Sequence, residues 1–151
     1  MLVKDILESK AREVVSVEIG TTIDEAMDLL IGKSISCLPV VEGGEHLIGI
    51  ISDRDIFRKI HQTKGDYHSL KVGDLMSTDL IVGLPEDDLE YIAGLMSKNW
   101  IRHIPIVQKD QIVGLVSSRD IVKAEATRTE IENRYLRLYL DGLGSRDRSA
   151  D

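Results

Sequence analysis

The sequence predicts an α/β fold: two copies of a β-α-β-β-α unit packed sheet to sheet about a pseudo-twofold axis, followed by a C-terminal helix. Three observations lead there. The chain repeats itself, each copy contains two adjoining apolar runs of strand composition, and helical spacing flanks those runs on both sides. The repeat emerges when the chain is slid against itself. Cys37-Leu38-Pro39-Val40-Val41 lies over His103-Ile104-Pro105-Ile106-Val107, 66 positions on. Leu47-Ile48-Gly49-Ile50-Ile51-Ser52-Asp53-Arg54-Asp55-Ile56 lies over Ile112-Val113-Gly114-Leu115-Val116-Ser117-Ser118-Arg119-Asp120-Ile121, 65 positions on. The lost residue falls where Glu42-Gly43-Gly44-Glu45-His46 faces Gln108-Lys109-Asp110-Gln111, a polar turn that tolerates a change of length.

In chain order each copy opens with a short helix, Val3 to Leu7 or Val72 to Met76, and a short strand, Glu13 to Val17 or Asp79 to Val82. An N-cap follows, at Thr21 or Thr22 in the first copy and within Pro85-Glu86-Asp87 in the second. The next helix rests on Ile23, Met27, Leu30 and Ile31, and in the second copy on Leu89, Ile92, Leu95 and Met96, with acids facing out. Two runs rich in Val and Ile then form a hairpin buried on both faces, and a last helix starts at Ser52 or Ser117. One such unit cannot bury its own sheet, so the two share a core and fold as one. The boundaries are 1–66 for the first repeat, 67–125 for the second and 126–151 for a C-terminal helix and tail. That helix shows its period in Ala124, Ile131, Tyr135 and Leu138, with Leu136 and Leu140 beside them, and is supported by Glu130 and Arg134 at i,i+4. It is expected to stop at Asp141-Gly142-Leu143-Gly144, with 145–151 frayed. The stripe of Ile131, Tyr135 and Leu138 lies outside the repeated core and has to cover its own subunit or another.

Composition excludes several function classes. No stretch approaches the roughly 18 apolar residues of a membrane span. Asp5 stands where a secretory signal carries base, which points to a cytoplasmic protein. A net charge of −7 disfavours nucleic acid and anionic lipid as partners. Cys37 is the only cysteine, so no internal disulfide or multi-cysteine metal site can form, and its apolar run marks it as a small buried hydrophobe. His46, His61, His68 and His103 lack metal-ligand spacing, so no metal is expected. Ser52 has no nucleophile elbow around it and recurs as Ser117, so the chain is expected not to be an enzyme and to need no catalytic cofactor.

The element seen twice is Gly-[Ile/Leu]-[Ile/Val]-Ser-x-Arg-Asp-Ile. Its Ser-x-x-Asp part has a purely structural explanation: the serine caps a new helix while the acid at N3 reaches back, worth about 0.5–2 kcal/mol. The same residues suit a nucleotide, since a carboxylate accepts from both hydroxyls of a ribose, and a serine with free helix-start amides favours phosphate. In both copies the serine and acid come after a proline in the middle strand, a hairpin and a glycine, an ordered set that capping alone does not require.

On these residues the sequence resembles the cystathionine β-synthase (CBS) domain family, whose repeats end in Gly-h-h-[Ser/Thr]-x-x-[Asp/Asn]-h, h being apolar, and come in tandem. The resemblance covers most of residues 1–123 and implies a pair of units that assembles as a homodimer. It further implies a cleft between repeats that takes AMP, ADP, ATP (with Mg²⁺ if ATP) or S-adenosylmethionine. By this likeness Asp55 and Asp120 hold ribose, and Ser52 and Ser117 sit near phosphate. Residues just before the middle-strand proline touch phosphate in the family; here they are Arg102-His103 in the second copy but Ser36-Cys37 in the first. Arg54 and Arg119 are either solvated helix starts or contacts to a phosphate tail or partner subunit. The function implied is a regulatory module that senses an adenosine nucleotide and signals through dimer or protein-partner contacts. The alternative is a ligand-free constitutive dimer acting as an interaction module. Because Arg102-His103 belong to the second repeat, Asp120 is expected to matter more to binding than Asp55.

Overall fold

The computed structural model describes residues 1–10 and 13–147. The first half contains α1 (Val3–Lys10), β1 (Val17–Glu18), α2 (Ile23–Lys33), β2 (Cys37–Glu42), β3 (His46–Ser52) and α3 (Asp53–Gln62). The second contains α4 (Val72–Leu75), α5 (Leu89–Asn99), β4 (His103–Gln108), β5 (Gln111–Ser117) and α6 (Ser118–Asp147). Each hairpin is antiparallel and carries a register shift at the same place, Val40/Val41 and Ile106/Val107. The length change sits in the turns. Gly43 and Gly44 turn the first hairpin at φ of 65° and 92°, whereas Lys109 and Asp110 make a two-residue turn at 51° and 63°. At that end the halves join: His46 pairs with Gln111, giving one five-stranded sheet in the order β1-β2-β3-β5-β4.

Two apolar cores form, one per half, and each borrows a helix from the other side of the sequence. Val72 of α4 packs into the first core with Ile23, Leu38 and Ile51, while Val3 of α1 packs into the second with Ile92, Ile104 and Val116. The backbone enforces the exchange. The Val3 amide donates to the Asp87 carbonyl and the Leu89 amide to Met1, while Val72 donates to Thr21 and Ile23 to Leu70. Two glycines make the close approach feasible: a Cβ on Gly114 would lie 2.5 Å from Leu7, and one on Gly49 would lie 2.5 Å from Met76.

Several expectations are corrected. The first strand of the second half does not form over Asp79 to Val82. Gly83 alone pairs there, its amide donating to the Pro105 carbonyl and its carbonyl accepting from Val107 at 2.9 Å each, and the chain before it turns toward the interior cleft. The second N-cap is Asp88, which accepts from the Glu90 amide, because the Asp87 carboxylate is taken by the Leu84 amide. Thr22 is the first, closed as a full capping box with Glu25. Ile31 is 77% exposed, since α2 buries the ridge of Ile23, Ala26 and Leu30 and Ile31 lies beyond it. α6 does not stop at Asp141-Gly142-Leu143-Gly144 but runs to Asp147. Each glycine costs the helix only about 1 kcal/mol, and no proline follows to end it. Of the tail expected to fray, 145–147 are helical and 148–151 lie outside the described residues.

Candidate functional site

Both repeated serines act as caps. Ser52 Oγ accepts from the Asp55 amide at 3.2 Å, and Asp55 Oδ2 accepts from the Ser52 amide and hydroxyl at 2.9 Å each. Ser117 and Asp120 repeat the pattern at 3.2 and 2.8 Å. The structural explanation of the motif therefore holds in both copies. It does not use up the acids, because none of these bonds falls on Oδ1 of either residue.

A cleft of about 260 Å³ opens between the halves beside the first motif. Ser52, Arg54 and Asp55 line it from the first half, and Arg102 and His103 from the start of β4. The segment Asp79-Leu80-Ile81 closes a third side with one carboxylate and two apolar side chains. Trp100 stands at its rim, 95% exposed and in a left-handed backbone conformation that ends α5. Sequence reasoning singled out neither Trp100 nor Asp79-Leu80-Ile81. A non-glycine residue capping a helix at φ of 56° leaves no trace in periodicity, and residues 79–82 read as an ordinary strand.

The partnership of charges differs from the one expected. Arg102 and His103 line the cleft of Asp55, which the other repeat contributes, while the Asp120 charge of their own repeat also reaches His103. The starts of β2 and β4 meet across the pseudo-twofold, where Ser36 Oγ lies 3.4 Å from His103 Nε2, so residues from one half face the motif of the other. Ser117, Arg119 and Asp120 are not among the residues lining this cleft. Asp120 instead receives the Lys10 ammonium on Oδ2 at 2.8 Å. Arg54 and Arg119 are both exposed.

Electrostatics follow from this packing. Burial pushes His103 below its ordinary value, and the neighbouring Arg102 charge pushes the same way. Burial alone would raise Asp120, but bonds from Lys10 and from the Ser117 amide and hydroxyl outweigh it and hold the carboxyl below its usual range. The Cys37 thiol is pushed up to about 12, by burial first and the Asp53 charge second, so it is a protonated thiol at neutral pH. Because the folded chain resists protonating His103 and the unfolded chain does not, the His103 contribution is complete above about pH 6.5 and is lost as pH falls below it. His103→Asn should therefore shrink the drop in melting temperature between about pH 7.5 and 5.5; equal drops in both proteins would contradict this.

A wider concavity of about 730 Å³ runs along Ala126 to Arg137, but a single helix face bounds it, so it is open surface rather than an enclosed site. Among the described residues no group of three or more His, Cys, Asp or Glu could hold a metal ion, and no helix is long and apolar enough to cross a membrane.

Comparison with known proteins agrees with the repeat and its geometry. The chain is 32% identical over 148 residues to the mitochondrial CBS domain-containing protein CBSX3 of Arabidopsis thaliana, covering 93% of this chain and 72% of that one. It superposes on the CBS domain pair of protein MJ0100, solved in complex with 5′-methylthioadenosine and S-adenosyl-L-methionine. That match has a TM-score of 0.74 and 30% identity, over 85% of this chain and 98% of the other. CBSX2, solved in complex with AMP, superposes with a TM-score of 0.72 and 25% identity over 85% and 98%. The CBS-domain sequence model itself matches residues 3–62 and 72–127, the two repeats that build this cleft, and the chain belongs to the CBS-domain family.

Proposed function

We propose that this chain is a regulatory module that binds one adenosine nucleotide in the Asp55 cleft and reports occupancy through dimer or protein-partner contacts. One observation carries the reading: a carboxylate with an uncommitted oxygen and an arginine with a histidine beside it, contributed by opposite halves, line the same small space. Asp55 suits the ribose diol, Arg102 and His103 with the Ser52 helix start suit phosphate, and Leu80 and Ile81 offer apolar walls to a base. Arg54 stands by for a longer phosphate chain, with Mg²⁺ accompanying the ligand if it is ATP. The adenosine ligands of MJ0100 and CBSX2 support this assignment. The role proposed is binding rather than catalysis: the Ser52 hydroxyl that donates to Asp55 is engaged in a helix capping box, and the same pair recurs at Ser117 and Asp120. The reading includes a cytoplasmic location, in keeping with a lone cysteine kept as a buried thiol.

Trp100 is the only tryptophan and stands at the cleft rim, so it reports binding directly. Titration with AMP, ATP or S-adenosylmethionine should change its emission, and ligand at 100 times its dissociation constant should stabilise the fold by about 2.7 kcal/mol. No change in emission or melting with any of the three would replace this reading by the constitutive dimer.

The homodimer is the second part of the proposal, and α6 is its best support. Ile131, Tyr135 and Leu138 are 64%, 69% and 65% exposed, and Leu136, Tyr139 and Leu140 lie bare beside them. A second copy in antiparallel pairing would cover them while setting Glu130 and Glu132 against Arg134 and Arg137. Deleting 126–151 should weaken the dimer about 10-fold or more, because aromatic and aliphatic anchors carry most interface energy. Light scattering that finds an unchanged dimer at micromolar concentration would contradict this.

A further inference from the structure

The two motifs are alike in their capping bonds and unlike in what meets the acid. Asp55 lines an open cleft, whereas Asp120 Oδ2 is held by the Lys10 ammonium at 2.8 Å, and the same ammonium donates to the Leu115 carbonyl at 3.0 Å. The difference originates in the helices exchanged between the halves. α1 and α4 occupy equivalent places, Leu7 over Gly114 and Met76 over Gly49. α4 ends at Leu75 after 4 residues, while α1 continues for 8 residues to Lys10. That extra turn lays a cation on the second motif. At the first motif the chain has already left its helix, and Asp79-Leu80-Ile81 pass along the cleft wall instead. With side chains only 31% and 17% exposed, the Lys10–Asp120 pair is not a loose surface contact, and Lys10 sits in the last turn of α1, where a cation is favoured.

We propose that Lys10 is a built-in occupant of the second nucleotide position, so that the ligand-free chain presents one open site at Asp55 and one closed site at Asp120. The inference rests on the nucleotide reading of the Asp55 cleft. Lys10 donates to the oxygen that already carries both Ser117 bonds, so Asp120 Oδ2 holds three donors where Asp55 Oδ2 holds two. A ribose diol that reaches for both oxygens meets Oδ1 alone at Asp120 until the ammonium leaves, so apparent affinity at the second motif is lowered by the fraction of chains in which Lys10 has let go. The longer α1 thus makes two matching motifs inequivalent.

Calorimetric titration of AMP into the full chain tests this. The unaltered protein should bind one AMP per chain, and Lys10→Met should bind a second, roughly 10-fold or more tighter than any second event in the unaltered protein. Lys10→Arg keeps a cation on Asp120 and should stay at one. Lys10→Met with Asp55→Asn should retain the new site alone. If Lys10→Met folds poorly, Lys10→Gln retains a donor for the Leu115 carbonyl and takes its place. Two sites of comparable affinity in the unaltered protein would overturn the inference, as would a single site in the folded Lys10 variant while the unaltered protein binds at Asp55. Absence of AMP binding in every protein would overturn the nucleotide reading, and this inference with it.

Discussion

Asp55→Asn is expected to weaken AMP binding about 10- to 150-fold while leaving the melting temperature nearly unchanged. The two effects separate because Asp55 has two tasks. Its Oδ2 closes the capping box with Ser52, and Asn serves almost as well at a helix start. Its other oxygen is what a diol needs in addition, and losing a hydrogen bond to a charged group costs about 1.5–3 kcal/mol. Asp120→Asn should leave affinity at the Asp55 cleft within about 3-fold, because Asp120 does not line that cleft. The sequence alone ranks these two the other way, since Arg102 and His103 belong to Asp120's repeat. Calorimetry beside melting curves decides it: intact affinity in both variants would mean that the motifs are helix caps and nothing more.

Removing residues 1–10 is expected to unfold the second half although they precede the first. Val3 and Ile6 are buried at 0% and 5% exposure, and Leu7 packs on the second core. At about 1.5–3 kcal/mol for each side chain, the loss is about 5–9 kcal/mol, comparable with the whole stability of an ordinary domain. The melting temperature should fall by about 10 °C or more, and amides of α5 and β4 should lose hydrogen-exchange protection before those of α2 and β2. A truncated chain that melts within about 3 °C of the full one would show that α1 is dispensable.

By itself the sequence determined the repeat, the hairpins, the caps at Ser52 and Ser117 and the family, because these depend on local pattern: continuous apolar runs rich in Val and Ile, helical faces, and a serine three residues before an acid; between Thr21 and Thr22 the structure chose Thr22. It also determined that Cys37 is inward, since its neighbours in the run are apolar. Only the tertiary structure decided which helix completes which core. Val3 and Val72 have equivalent sequence surroundings, and nothing local says that each crosses to the other half. For the same reason it decided that Arg102 and His103 face Asp55, because pseudo-twofold packing joins residues that no linear spacing connects. It left Ile31 on the surface, because α2 turns the ridge of Ile23, Ala26 and Leu30 inward instead. And it set Lys10 on Asp120, since one more turn in α1 than in α4 is a small difference along the chain that becomes an ion pair only once the helix is docked.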